Sequence, residues 1–308
     1  MTRIAAVLGL ALAGCAGVSS FAPHAPGSGI SNDARRGKNL IYVADNNGVE
    51  IYPAGVSDPP RIGRITDGIS GADGLFVDGN GNLYVANLRG ASVTVYRPGQ
   101  TVPFERYPTA KNPTDVVVGN DGTVYISQAG ATCICITEYP AGSTIPKVTI
   151  PLKAAGGYPL FMTLDTSNAL YVSMATVGGG KVLKFRAGHT KGLTLSLAGL
   201  ITPRGLGLTA RGALAVANDT LNFHYGFVSV YHHTRAGYKL LEQFVGGSQP
   251  EQISFGRDRV RMYVADAGYS ERNGSVAIFQ SESGWKRVGT ISRDLSQPSG
   301  VALSPDAF

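Results

Sequence analysis

A short phrase of apolar and polar positions recurs along the chain. An apolar run meets a Gly/Asn/Asp turn, and a second apolar run follows, ending in Tyr-Val-Ala or a variant. An alternating segment closed by an aromatic comes next. The phrase is clearest in Gly74-Leu-Phe-Val-Asp-Gly-Asn-Gly-Asn-Leu-Tyr-Val-Ala-Asn87 and in Asp115-Val-Val-Val-Gly-Asn-Asp-Gly-Thr-Val-Tyr-Ile-Ser-Gln128. The continuous runs at 75–77 and 116–118 predict strands buried on both faces. Asn80-Gly81 and Asp121-Gly122 predict tight turns between strands. At 92–95, Val93 and Val95 alternate with Ser92 and Thr94, the period of a half-buried strand. A fourth, weaker strand is expected near 104–107 and 147–150. No segment beyond residue 38 carries a 3.6-residue apolar period, so the pattern predicts an all-β chain.

Two landmarks set the register of the copies. The first precedes the opening strand as Pro-x-Gly or a relic of it, at Ala72-Asp73-Gly74, Pro113-Thr114-Asp115, Pro159-Leu160-Phe161, Pro203-Arg204-Gly205, Pro250-Glu251-Gln252 and Pro298-Ser299-Gly300. The steps between them are 41, 46, 44, 47 and 48 residues. The second landmark closes the third strand at Tyr52, Tyr96, Tyr139, Phe185, Tyr231 and Phe279. A unit of this size cannot bury its own apolar face and must stack on neighbours, and four strands in 40 to 50 residues is the spacing of a propeller blade. The chain ends on an opening strand alone, Gly300-Val-Ala-Leu-Ser-Pro-Asp306, and its first strands, 40–45 and 49–52, lack one. Pairing the two ends completes a sixth blade and removes the open sheet edge. The expected fold is a six-bladed β-propeller over 39–308, closed by the C-terminal strand pairing with the N-terminal strands.

These motifs resemble the NHL-repeat propellers and, more distantly, the regucalcin/gluconolactonase family. The resemblance rests on Asp73-Gly74-Leu75-Phe76-Val77-Asp78, on Gly81-Asn82-Leu83-Tyr84-Val85-Ala86-Asn87 and on 40–45, and extends over nearly all of 40–308. It implies that two loops per blade ring one mouth of the central channel. One is the Pro-x-Gly loop. The other follows the second strand, at Asp45, Asn87, Gln128, Met174, Asn218 and Asp266. The expected ligand mouth is therefore formed by Asp73, Asp115, Arg204, Glu251, Asn87, Asn218 and Asp266, a mixture of acids, amides and one cation suited to a polar small molecule. The same residues also read as solvated turn caps.

The first residues predict export. Met1-Thr-Arg3, an apolar run over 4–12 and the exit Leu12-Ala13-Gly14-Cys15 have the composition of a signal segment, and the run is too short for a stable membrane span. Leu-Ala-Gly-Cys resembles the bacterial lipoprotein box. That resemblance implies cleavage before Cys15, acylation of Cys15, and anchorage in the cell envelope, at the outer membrane by the rule that reads Ala16 after the cysteine. Residues 15–38 then form a Ser/Ala/Gly/Pro-rich tether. The formal charge of the full chain is +6, of which the leader holds only Arg3. The basic residues are scattered rather than interleaved with aromatics, so nucleic acid is not an expected partner. The expected partners are the membrane through the lipid, and a small molecule or envelope protein.

Other chemistry is sparse. A regucalcin-like metal site would place an Asn and an Asp before the Gly of such landmarks. Asp73 and Glu251 occupy x positions, but no Asn does, and Arg204 brings a cation to the ring that repels a hard divalent ion. No metal site and no cofactor are expected, and binding is preferred to the alternative of a metal-dependent sugar-lactone or ester hydrolase. Cys133 and Cys135, at i and i+2, read as a bridge needing a local bend or bulge, as metal-bound thiols, or as small packing residues. His232-His233 reads as a solvated turn and Trp285 as an outer-strand packing residue. No nucleophile elbow, His-Glu-x-x-His or phosphate-binding Gly-Lys-Ser/Thr is present.

Overall fold

The computed structural model describes residues 38–46, 48–176, 179–220, 225–269 and 274–307. The expected leader, Cys15 and all of the tether but Lys38 lie outside the described residues. The strands are β1 (Leu40–Asp45), β2 (Gly48–Pro53) and β3 (Gly63–Ile65); β4 (Ala72–Val77), β5 (Leu83–Asn87), β6 (Ser92–Tyr96) and β7 (Glu105–Pro108); β8 (Pro113–Val118), β9 (Val124–Gly130), β10 (Cys133–Tyr139) and β11 (Val148–Pro151). They continue as β12 (Tyr158–Leu164), β13 (Leu170–Thr176), β14 (Gly179–Phe185) and β15 (Leu193–Thr194); β16 (Thr202–Leu208), β17 (Leu214–Asp219), β18 (Gly226–Thr234) and β19 (Gly237–Gly247); β20 (Pro250–Phe255), β21 (Arg261–Asp266), β22 (Ser275–Ser281), β23 (Trp285–Ile291) and β24 (Pro298–Leu303). A single helical turn occurs at Lys153–Ala155.

These strands make six antiparallel four-stranded sheets, each a blade of a propeller. Five blades are consecutive in sequence. Blade 1 has the order β24-β1-β2-β3, so the last strand supplies its missing inner strand. Ile41 pairs with Leu303 and Val43 with Val301. Leu40 N–H donates to Ser304 Oγ at 2.9 Å, and Ser304 N–H to Leu40 O at 2.9 Å, fixing the seam.

The apolar pattern explains why the blades need one another. Each of the six buried clusters draws its side chains from two adjacent blades. One joins Leu40, Tyr42 and Ile51 of blade 1 to Leu75, Val85 and Tyr96 of blade 2. Another joins Val43 and Val301 to Tyr263 and Ile278 across the seam between blades 6 and 1. The aromatics that close the third strands add a latch. Tyr96 Oη donates to Asp67 O (2.6 Å), Tyr139 Oη to Pro108 O (2.8 Å), Tyr231 Oη to Ala198 O (2.7 Å) and Tyr52 Oη to Arg293 O (2.5 Å). Each tyrosine thus holds the chain arriving from the preceding blade. Phe185 and Phe279 fill the same position without a hydroxyl.

The turns follow their residues. Gly81 and Gly122 adopt φ of 83° and 80°, the left-handed region open to glycine, and each N–H closes a turn onto the carbonyl three residues earlier. Fourth strands form where expected, and Trp285 packs on β23 between Phe244 and Phe255. The His pair is a correction. His232 and His233 continue β18 and pair with Lys239 and Tyr238, so the strand runs past its aromatic to a turn at Thr234. A long ladder there outcompetes an early turn, because both strands offer extended, β-favouring residues.

Candidate functional site

Six inner strands (β24, β4, β8, β12, β16 and β20) run from an upper face, where the Pro-x-Gly landmarks lie, to a lower face. Each landmark breaks the register between the inner strand and its neighbour, as between Pro203 and Leu206. Glycine is required at the third position where adjacent inner strands converge. A Cβ on Gly205 would lie 2.1 Å from Glu251 O, and one on Gly300 would lie 2.2 Å from Asp73 O.

Asp115 and Gln252 occupy that third position in blades 3 and 6, on opposite sides of the ring, and their side chains meet across it. Gln252 Nε2 donates to Leu75 O (2.8 Å) and Asp115 Oδ1 (3.3 Å), and its Oε1 accepts from Leu75 N (3.0 Å) and Val301 N (2.9 Å). Asp115 Oδ2 accepts from Met162 N at 2.7 Å. This bridge links five blades through the axis. Asp115 is fully buried, and burial, reinforced by the charge of Asp73, pushes its carboxyl well above the usual range against the pull of the Met162 and Val116 N–H groups. Asp115 is therefore part of a plug and not of an open mouth. Below the plug, a cavity of about 320 Å³ is lined by apolar inner-strand residues such as Leu75, Val117, Met162 and Leu206 together with polar ones, among them Gln252, Asn120, Asp165 and Arg259.

On the upper side, a group of charged side chains gathers around Arg204. Its Nη1 lies 2.7 Å from Glu251 Oε1 and its Nη2 3.4 Å from Asp219 Oδ2. Asp73 enters from blade 2, where its carboxyl interacts with Ser299 and feels the charges of Glu251 and Arg204. Burial, aided by the charge of Glu251, raises Asp73 to about 7 in spite of Arg204. Burial likewise raises Glu251 to about 7 against its ion pair with Arg204. Three acids thus share one cation. Arg204 Nε and Asp219 Oδ1 are buried without a protein partner, two of four such side-chain atoms among the described residues.

The expected mouth residues therefore divide. Asp73, Arg204 and Glu251 come together. Asn87 and Asn218 do not join them, and Asp266 reaches them only through its charge, which Glu251 and Asp219 feel. The polar atoms of all three brace the loop that leads into the inner strand of their own blade. Asn87 Oδ1 accepts from Ser70 N (3.0 Å), and Asn218 Oδ1 from Ile201 N (2.8 Å) and Thr202 N (3.0 Å). Asp266 Oδ1 accepts from Gln249 N at 2.8 Å. Asp45 and Gln128 do the same for Gln297 and Ala110. Asp219 was missed by the sequence reading. It stands one residue beyond the bracing column, where the other described copies hold Asn46, Leu88, Ala129, Ala175 and Ala267, so an acid there was the available signal.

Among the described residues, no group of three or more His, Cys, Asp or Glu side chains is arranged to hold a metal ion. Arg204 already fills the space between the acids. Cys133 and Cys135 are joined by a disulfide with Cα atoms 5.3 Å apart. The β9–β10 ladder runs from Cys133 to Tyr139 without a shift, so the bridge needs no bulge.

No family model matches the chain, and no curated protein matches it. Solved structures share its fold. A chain of a nidogen/laminin complex is 16% identical, with 87% of this chain and 99% of that one covered at a TM-score of 0.68. A streptogramin B lyase is 15% identical over 90% and 86% of the two chains, with a TM-score of 0.60. A putative 6-phosphogluconolactonase from Bacteroides uniformis is 12% identical over 89% and 86%, with a TM-score of 0.59. Identities this low establish the propeller and nothing about chemistry.

Proposed function

We propose that the protein is a binding module of the cell envelope, held to a membrane through lipid on Cys15, whose upper mouth takes a small hydroxylated ligand of the saccharide class. The observation that carries the ligand class is the orphaned pair Arg204 Nε and Asp219 Oδ1. One is a donor and the other an acceptor, on side chains already in contact. A hydroxyl both donates and accepts, so hydroxyl groups suit both atoms, whereas each left alone when buried costs about 1–3 kcal/mol. Asp73 and Glu251 offer further acceptors beside them. Tyr158, at the upper start of β12, and Tyr225 and Tyr269, in the upper loops of blades 5 and 6, are 53%, 48% and 63% exposed and supply ring surface for the apolar face of a sugar.

Calorimetric titration with a panel of neutral and amino sugars tests this. The expected result is saturable binding that Asp219→Asn weakens about tenfold, roughly 1.4 kcal/mol, without moving the melting temperature. Failure of every panel member to bind at millimolar concentration, or binding unchanged by Arg204→Met with Asp219→Asn, refutes the reading and leaves water as the group that satisfies the pair. The anchor has its own check. Cys15→Ala is expected to release the protein from membranes, and unchanged partitioning counts against lipidation.

A second reading, hydrolysis of a lactone or ester, draws on the carboxyls of Asp73 and Glu251. Burial holds both at about 7, the range of a general acid or base working near neutrality. Lactone turnover measured with and without chelator separates it from binding, and no turnover removes it.

A further inference from the structure

Blade 3 carries a feature the upper mouth does not use. Its bracing residue, Gln128, accepts from Ala110 N through Oε1 at 2.7 Å, as its counterparts accept in other blades. Its amide nitrogen lies 3.0 Å from Thr137 Oγ1 and 3.7 Å from Cys135 Sγ. A loop brace is thus in contact with one sulfur of the Cys133–Cys135 disulfide. The two sulfurs differ in access. Cys135 is 2% exposed, whereas Cys133 begins β10 at the upper end of the β9–β10 hairpin and is partly exposed.

Stability does not explain this bridge. It spans a sequence separation of two, so it removes little freedom from the unfolded chain, far less than a bridge closing a long loop. β10 is already fixed by its ladders to β9 and β11. What the bridge does offer is an accessible sulfur joined to a buried one that has an N–H donor beside it. That is the asymmetry thiol–disulfide exchange uses, since exchange is faster when the departing thiolate is stabilised.

We infer that Cys133 and Cys135 form an exchange site, opened by a dithiol that attacks at Cys133. A thiolate of the dithiol forms a bond to Cys133 Sγ. The Cys133–Cys135 bond breaks, and its electron pair leaves on Cys135 Sγ, where the Gln128 amide N–H donates to the new thiolate. The second thiolate of the dithiol then attacks its own first sulfur in the mixed disulfide and releases Cys133 as a thiolate. The two protons lost by the dithiol equal the two needed to make both cysteines thiols. The dithiol is oxidised by two electrons to a disulfide, and the bridge is reduced by two. The opened site changes what Gln128 contacts, and through Ala110 it reaches the loop leading into β8.

The test equilibrates the folded full chain with graded dithiothreitol buffers, alkylates free thiols and reads the peptides by mass spectrometry, which distinguishes Cys15 from the pair. The expected result is reversible two-electron reduction of Cys133 and Cys135 with the fold intact, slowed about tenfold in Gln128→Leu. A second measurement does not depend on that variant. In Cys135→Ser, Cys133 is expected to form a mixed disulfide with oxidised glutathione at least ten times faster than Cys135 does in Cys133→Ser. Reduction only under denaturing conditions, or greater reactivity at Cys135, overturns the inference.

Discussion

Two charged clusters in this propeller look alike in composition and differ in how completely they are satisfied. In blade 1, Glu50 on β2 is 2% exposed and receives two cations, Arg61 at 2.9 Å and Arg64 at 2.8 Å. Each arginine is partly in water, so the one buried charge is neutralised and the two cations keep much of their hydration. At the upper mouth the ratio is reversed. Arg204 alone serves Glu251 and Asp219, Asp73 stands nearby, and two buried atoms lack protein partners. A buried acid with surplus cation is a structural solution, because breaking it costs more than its net worth and nothing is left over to bind. A cation with surplus acids leaves unmet hydrogen-bonding capacity, the condition under which a ligand gains most by arriving.

The largest expected effect follows from removing the single cation. Arg204→Ala strands two buried carboxylates and should lower stability by about 3 kcal/mol at pH 8, and by less at pH 5, where Glu251 is protonated. Urea midpoints at the two pH values measure it, and an equal loss at both would erase the distinction between the clusters. Glu50→Ala should cost less, about 2 kcal/mol near neutrality, because the two arginines it leaves can turn to solvent.

Asp73→Asn should act in the opposite direction. The folded carboxyl titrates at about 7 and the free one at 3.8. The native state therefore holds the proton more tightly, and this contribution to stability is complete below about pH 4 and lost as the pH rises through 7. Asparagine resembles the protonated acid, so the variant should match the parent at pH 4 and exceed it by about 1 kcal/mol at pH 8, a figure reduced for solvent in the channel. A variant less stable than the parent at pH 8 would mean that Asp73 is ionised and well paired. The smallest effect belongs to the saturated cluster. Arg61→Gln should change stability by about 0.5 kcal/mol, since Arg64 still neutralises Glu50, and a thermal melt suffices to detect more.

The ring was legible because its signals are local and repeated. The run at 75–77, the turn at Gly81 and the aromatic Tyr96 each recur at a fixed offset, and matching the ends at 40 and 300 needed only the same template. Closure followed from counting strands. The interior of the site was not legible in this way. The Gln252–Asp115 bridge spans residues 137 apart, and a repeat alignment says which column a side chain occupies but not that two such columns meet on the axis. The same limit put Asn87, Asn218 and Asp266 at the mouth. Their chemistry pointed elsewhere, since Asp45, Asn87, Gln128, Asn218 and Asp266 are all able to accept from backbone N–H groups, the mark of a turn brace. Asp219 shows the converse. It departs from its column, and departure from the repeat marks the charged site better than agreement does.

The shared blade also sets a direction. β24 descends to the lower face, and β1 starts beside its end, where Asn39 N–H donates to Asp306 Oδ1 at 2.9 Å. Lys38, the first described residue, therefore lies at the lower face, with the plug of Gln252 and Asp115 between it and Arg204. Under the proposed anchor on Cys15, the ring would hang like a lamp from a ceiling, its charged bowl turned away from the point of suspension and toward whatever passes beyond.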